Sequence, residues 1–365
     1  MTGPVVMHAS PELDADLFHA IPAAIIDPFT YVEVDGRRVA AIWPGDADRV
    51  RDLGIEVLPI EELGFDELVA SGLDENAVHA EIALRACRRV GLAAAAVPPR
   101  FPVLVADHLR RAGISLRPDA EAFAGRRRVK TPEQLAGIRR AQAAADAAMA
   151  VAVRMIRERR SSEEVRAAMK AECDARGCDL PDDVIVAHGP QGAVGHEPGH
   201  GPIAPGEPVI VDIWPRDRRS RCWTDMTRTF VAGGAEPEAT IREYWELTRA
   251  SLERVYPLVR PGVDGRDVYG ASCEPYEAAG QPTQRTKPEG ELLEEGYYHG
   301  LGHGVGLEVH ERPNLGRTPD ALRAGDVVTL EPGCYRKDLG GVRLEDLVLV
   351  TEDGCERLTG FPYEL

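Results

Sequence analysis

The sequence contains no run of about 18 apolar residues, so no membrane-spanning helix is expected. It contains no C-x-x-C pair. Its cysteines (Cys87, Cys173, Cys178, Cys222, Cys273, Cys334, Cys355) are odd in number, which fits reduced thiols in a cytoplasmic protein. The Cys173/Cys178 spacing is read as structural. The opening segment MTGPVVMHASPELDADL has no basic stretch followed by an apolar core, so no secretion signal is expected. Positive charge is in deficit: 43 Lys and Arg stand against 60 Asp and Glu, for a net charge of -17. That balance excludes nucleic acid or an anionic membrane as the main partner. What is present suffices for a globular protein, since 44% of the 365 residues are apolar and the length accommodates two domains.

Residues 1–125 alternate short apolar runs with helical patterns, which reads as α/β. AAIIDP, YVEVDG and RRVAAIWP read as strands, and FPVLVADHLRRAG as a strand then a helix. VRDLGIEVLPIEEL and ENAVHAEIALRACRRVGL read as helical or mixed. His79 and His108 occur singly there and are read as surface or packing residues. A basic join, Arg126 to Lys130, precedes Thr131-Pro132-Glu133-Gln134. Thr caps, Pro opens the first turn and Gln134 completes a capping box. Leu135, Ile138, Ala141, Ala145, Ala148, Ala152 and Ile156 then recur at helical spacing. Ser161-Ser162-Glu163-Glu164 starts a second helix by the same logic. The domain boundary is placed near residues 122–131, giving domains 1–125 and 126–365.

The second part repeats itself. Each half has two helices, the later pair at about 237–256 and 264–280, followed by two strands. In each, Gly-[Glu/Asp]-x-Val leads to an acid six residues after the glycine, Gly206 to Asp212 and Gly325 to Glu331. A further acid follows 13 residues on in one half, Asp225, and 14 in the other, Glu345. Two strand pairs donating two acids each imply pseudo-twofold halves that face one site.

Acids inside apolar strands are costly unless a cation or a tight partner neutralises them. Four carboxylates balance two divalent ions, the basis for reading a two-metal hydrolase that needs no serine or cysteine nucleophile. In HGLGHGVGLEVHE the glycines oppose a helix and allow close backbone approach to metals or substrate. His303 is the better ligand there and His299 a candidate partner behind the ligands. His310 and His196 are placed to bind or protonate substrate; His188 and His200 are weaker candidates. Oxygen ligands with one imidazole suit Mn(II), Co(II), Fe(II) or Zn(II).

With TDMTRTF, HGLGHGVGLEVHE, LEPG and GVRLED in this order, the chain resembles the pita-bread metallopeptidases, in the aminopeptidase P and Xaa-Pro dipeptidase (prolidase) branch. The resemblance covers essentially the whole chain and is strongest from about residue 126. It implies a creatinase-like N-terminal α/β domain followed by a pita-bread catalytic domain, paired as a homodimer. It implies that Asp212 and Asp225 bind one metal and His303 and Glu331 a second, with Asp225 and Glu345 bridging. Glu331 would shuttle protons for a metal-bridging hydroxide, and His196 and His310 would stabilise substrate and the tetrahedral intermediate. Arg343 would hold the bridging acid Glu345 in place. The implied substrate is a peptide or dipeptide with proline at its second position, and Mn(II) or Co(II) head the choice of metal.

The chain departs from that family at several points. Asp-x-Gly after the first ligand is replaced by Asp212-Ile213-Trp214-Pro215, and the loop PRDRRSRC is two residues longer than the family's. The segment before Asp212, which carries His196, is one residue shorter. Trp214 is expected to narrow or reshape the substrate pocket. Arg216, Arg218, Arg219 and Arg221 form either a solvated loop or an anion site. Asn314 stands where some dipeptidases carry an arginine for the proline carboxylate, leaving Arg312 or Arg317 as substitutes. The alternatives are a creatinase-like hydrolase of a small amide or amidino compound and a non-catalytic peptide-binding protein, both of which predict eroded ligands. All five ligands are present.

Overall fold

In the computed structural model, which describes residues 3–365, the chain divides by its internal contacts at Arg127/Arg128. Met1 and Thr2, which open the segment read for a secretion signal, lie outside the described residues. No helix among the described residues is long and apolar enough to cross a membrane.

The first unit is a six-stranded sheet with helices. Its strands are β1 (Val5–Ala9), β2 (Phe29–Val34), β3 (Arg37–Ile42), β4 (Glu56–Pro59), β5 (Ala94–Val97) and β6 (Ser115–Pro118), in the order β4-β3-β2-β1-β5-β6. Its helices are α1 (Ala15–Ala20), α2 (Ala47–Arg51), α3 (Phe65–Ala70), α4 (Glu75–Arg89), α5 (Val103–Arg111) and α6 (Ala120–Arg128). Strands β2 and β3 are joined by Asp35-Gly36, both at positive φ, as a tight hairpin of twisted strands requires. Two strand expectations fail. AAIIDP forms no strand: Ile25 is buried, but the carbonyls of Ala24 and Ile25 accept from Arg49 and Ser10 side chains instead of a neighbouring strand. FPVLV is the start of α5, where Val103 and Leu104 are 68% and 61% exposed and the inner face is Val105, Ala106 and Leu109. The strand before it is the alanine run of β5.

The second unit begins with α7 (Pro132–Arg157) and α8 (Ser162–Ala175), each opened by a complete capping box, on Thr131/Gln134 and Ser161/Glu164. The buried face of α7 is largely alanine, which lets α8 pack closely. Then come β7 (Cys178–Asp179), β8 (Ile185–His188), β9 (Pro208–Ile213), β10 (Arg216–Asp217) and β11 (Met226–Val231), with β11-β9-β8 forming one antiparallel sheet. The second half repeats the plan: α9 (Ala239–Val255) and α10 (Gly265–Ala278) lead to β12 (Gly302–Gly304), β13 (Glu311–Leu315), β14 (Val327–Leu330), β15 (Gly333–Arg336), β16 (Gly340–Arg343), β17 (Asp346–Val350) and β18 (Cys355–Arg357). Its main sheet runs β13-β12-β14-β17-β18. Both helical pairs and the two acid-bearing strand pairs, β9/β11 and β14/β17, fall where the sequence repeat puts them. Cys173 and Cys178 are buried in the core between α7, α8 and the first sheet.

Candidate metal centre

Each acid sits at the end of a strand, where its backbone is fixed by the ladder but its side chain leaves the core. Asp212 is on β9 opposite Thr227, Asp225 directly precedes β11, Glu331 directly follows β14 and Glu345 directly precedes β17. The halves are joined across these ends. The Glu345 amide donates to the Thr227 carbonyl at 3.0 Å, and Thr229 and Arg343 exchange hydrogen bonds at 2.9 and 3.0 Å.

Asp225, His303 and Glu345 each present a donor atom such that all three lie within 4.8 Å of one another. His303 Nε2 is 3.8 Å from Asp225 Oδ2 and 3.6 Å from Glu331 Oε1. Asp212 enters through Arg343, which donates to its Oδ2 at 2.6 Å. Oδ1 of Asp212 and Oδ1 of Asp225 are buried without a hydrogen-bond partner. Burial, reinforced by the neighbouring carboxylates, pushes the carboxyls of Asp225 and Glu345 well above their usual range. Glu331 is pushed up to about 8, by burial with Asp212 adding and Arg343 opposing. Burial and then His310 hold His303 down at about 4, in the neutral form that binds metals. Orphaned carboxylate oxygens, mutually repelling acids and a neutral imidazole are the donor set of a hard or borderline divalent cation, so these residues fit that group.

The remaining predicted residues lie around this cluster. His310 is exposed, its ring centroid 4.2 Å from that of His303. His196 is exposed and close enough for its charge to lower the pKa of His310. His299 Nε2 is 2.9 Å from the Tyr335 hydroxyl, to which Arg343 also donates. It therefore lies behind Arg343, not in the cluster. Arg343 reaches Glu345 through Thr227: its Nε donates to Thr227 Oγ1 at 3.3 Å, and Thr227 Oγ1 donates to the Glu345 carboxylate at 2.8 Å. Its direct ion pair is with Asp212. The reason is geometric: Arg343 lies on β16 facing β9 and β11, so its guanidinium reaches across to Asp212. His188 bonds Glu207, and His200 is an exposed residue near Glu197. The glycines act differently from expectation. A Cβ on Gly302 would lie 2.1 Å from the Thr329 carbonyl, and one on Gly304 2.3 Å from that of Arg312. They let β12 pass between its neighbouring strands and so seat His303.

Arg218 pairs with Asp174 and Asp179, Arg219 with Glu133, and Arg216 approaches Asp179 and lies over Trp223, so these three tie the loop to α7, α8 and β7. Arg312 is held by Asp320 through two hydrogen bonds of 2.8 and 3.0 Å.

Sequence reasoning missed Thr227, Tyr335, and above all Arg228 and Asp346. Arg228 and Asp346 form an ion pair with both side chains 0% exposed. Arg228 also donates to the carbonyls of Thr227, Glu345, Phe361 and Pro362. The available signal was an arginine amid the alternation of MTRTFV, a strand buried on both faces.

Residues 136–352 match the family described as metallopeptidase family M24. The "Xaa-Pro dipeptidase" of Pyrococcus furiosus is 33% identical over 240 residues, 65% of this chain and 64% of that protein. The "Probable dipeptidase PepE" of Mycobacterium tuberculosis H37Rv is 31% identical over 270 residues, 73% of this chain and 64% of that protein. The chain thus spans about 64% of the length of these curated relatives. Among solved structures, the prolidase from Pyrococcus horikoshii OT3 superposes with a TM-score of 0.80 at 23% identity, covering 100% of this chain and 95% of that one. The Xaa-Pro dipeptidase from Bacillus anthracis gives 0.82 at 22% identity, covering 99% and 94%. At these identities the superpositions establish the fold, which is that of the prolidases.

Proposed function

Starting from the fact that this chain belongs to metallopeptidase family M24, we propose that it hydrolyses the N-terminal Xaa-Pro bond of peptides or dipeptides, using divalent metal ions. The observation that carries the reading is the Asp225, His303 and Glu345 cluster, flanked by Asp212 and Glu331, with buried carboxylate oxygens that no protein group satisfies. Asp212, Asp225, His303, Glu331 and Glu345 would hold two ions, Mn(II) or Co(II) in first place and Zn(II) or Fe(II) after them. Bound there, the ions would polarise the scissile carbonyl and activate a water.

The chain's own residues do the rest. Glu331, beside His303, takes a proton from the attacking water and delivers it to the leaving proline nitrogen. That nitrogen carries no hydrogen in the peptide, so it must receive one to leave. His196 and His310, exposed beside the cluster, donate to the substrate carbonyl as negative charge develops on its oxygen. Arg343 fixes Asp212, Thr227 fixes Glu345, and His299 fixes Arg343 through Tyr335.

The catalytic domain is assigned to residues 126–365 and the N-terminal domain to 1–125, with a homodimer as the functional unit. The seven unpaired cysteines support a reducing, cytoplasmic location. The test is release of free amino acid from Xaa-Pro, Xaa-Ala and Xaa-Pro-Yaa peptides, with an EDTA control and metal added back. Cleavage confined to Xaa-Pro bonds and restored by Mn(II) or Co(II) supports the reading. Metal-independent cleavage, or none with metal bound, refutes it.

A further inference from the structure

Side chains along a strand alternate between its faces, and residues paired across strands share one. In the first unit Val6, Val32 and Val39 are paired across β1, β2 and β3 and pack under α4. Two residues along each strand, the same face carries His8, Thr30 and Ala41. These short or polar side chains leave unfilled the space that the valines fill beside them. A cavity of about 350 Å³ lies there, lined on the helix side by Val78, His79 and Ile82 of α4. One water takes about 30 Å³, and small-molecule pockets begin at about 300 Å³. His8 is 6% exposed; its Nδ1 is 2.8 Å from Thr30 Oγ1, and its Nε2 has no hydrogen-bond partner among the described residues. The His79 ring meets it edge-on, with centroids 5.8 Å apart. On the solvent side stand Trp43, 55% exposed, and the exposed carboxylates of Asp27 and Glu75. Asp46 also lines the cavity but is taken by Arg49 at 2.6 Å. Among the described residues Asp27 and Glu75 pair with no cation, and no lysine or arginine lines the cavity.

We propose that this cavity is a second ligand site, and that it takes a small hydroxylated aromatic amine with its hydroxyl on His8 and its ammonium at Asp27 and Glu75. The cavity is lined wholly by the first unit and owes nothing to the peptidase reading above. A buried imidazole nitrogen left without a partner is costly, and a ligand that supplies one recovers that cost. A hydroxyl both donates and accepts, so it answers Nε2 in either tautomer. The walls between, with Ile60, Phe65 and Ile82, are apolar and suit a ring. Asp27, Glu75 and the indole face of Trp43 select a cation over an anion. Glu75 opens α4, where an acid also suits the helix dipole, but Asp27 has no such structural reason to be there. A metal ion is excluded as the occupant: among the described residues the group of three close donors is Asp225, His303 and Glu345, and the histidines and acids here form none.

The test is calorimetric titration of the full chain with tyramine and three analogues of its size. Phenethylamine lacks the hydroxyl, para-ethylphenol lacks the ammonium, and para-hydroxyphenylpropionate reverses the charge. Tyramine should bind at one site per chain, about tenfold or more tighter than phenethylamine or para-ethylphenol, and the anion should show no binding. Asp27→Asn combined with Glu75→Gln changes two exposed side chains, so the fold should survive; it should weaken tyramine to the level of para-ethylphenol. His8→Leu should weaken tyramine to the level of phenethylamine. Circular dichroism checks that each variant is folded, and if His8→Leu is not, the exposed double variant decides alone. Absence of saturable tyramine binding would overturn the proposal, as would equal affinity for all four compounds or a tyramine affinity unmoved by the double variant. Loss of tyramine binding in Asp225→Asn would place the amine at the acids of the metal centre and overturn it as well.

Discussion

Asp346→Asn tests the centre of the second unit most directly. The change keeps the size of the side chain but removes its charge and turns one of the two oxygens that accept from Arg228, Tyr256 and Tyr363 into a donor. Arg228 then remains as a cation with a 0% exposed side chain that has lost its paired carboxylate. Because neither partner touches solvent, screening by water does not discount the effect. Removing one member of a buried pair costs about 3–5 kcal/mol. For a unit of this size each kcal/mol lowers Tm by about 2–4 °C, so the expected drop is about 6–20 °C. Thermal unfolding followed by circular dichroism, in EDTA so that metal binding does not enter, measures it. Arg228→Met and the double variant complete a cycle whose coupling energy should be about 2–3 kcal/mol. A loss below about 1 kcal/mol for Asp346→Asn, or a coupling energy near zero, would show that the pair is not the structural weld described here.

Glu331→Gln should reduce kcat by about a thousandfold while leaving Tm nearly unchanged; wild-type turnover would remove Glu331 from proton transfer. Asp225→Asn should lower the metal bound per chain, measured by atomic emission after dialysis, because its carboxylate lies within the donor cluster; unchanged stoichiometry would refute that assignment. In the first unit, burial and His79 depress His8 from 6.5 to about 4. The unfolded chain therefore takes that proton first, and stability present above pH 6.5 should fall as pH drops towards 4, by up to about 3 kcal/mol. Urea midpoints at pH 7 and pH 5 check this: His8→Gln should flatten the slope, and an unaltered slope would clear His8 of responsibility.

Much of this site was legible because its signals are local. The acids interrupt apolar runs at matched spacing, and both capping boxes form from neighbours three residues apart. The failures share a cause, which is tertiary context. FPVLV carries β-branched residues but supplies the first turn of a helix after Pro102, while the strand beside it is built from alanines of low strand propensity. Arg343 was assigned to the acid nearest in sequence, which it reaches only through Thr227, while its place on β16 turns its direct pairing to Asp212, 131 positions away. Arg228 escaped notice because arginine is ordinarily a surface residue, and only the fold reveals five acceptors converging on it.

Those acceptors have an implication for how the protein is made. Synthesis is vectorial, and Arg228 emerges long before Glu345, Asp346, Phe361 and Pro362, which supply four of its five acceptors. A nascent chain can lay down β9 and β11 but must keep Arg228 hydrated until residues 345–362 are free to close over it. The strands that carry Asp212 and Asp225 are thus made well before the segment that buries Arg228 between them and Glu345, and loss of Phe361 and Pro362 alone would leave every carboxylate in place while taking two acceptors from Arg228.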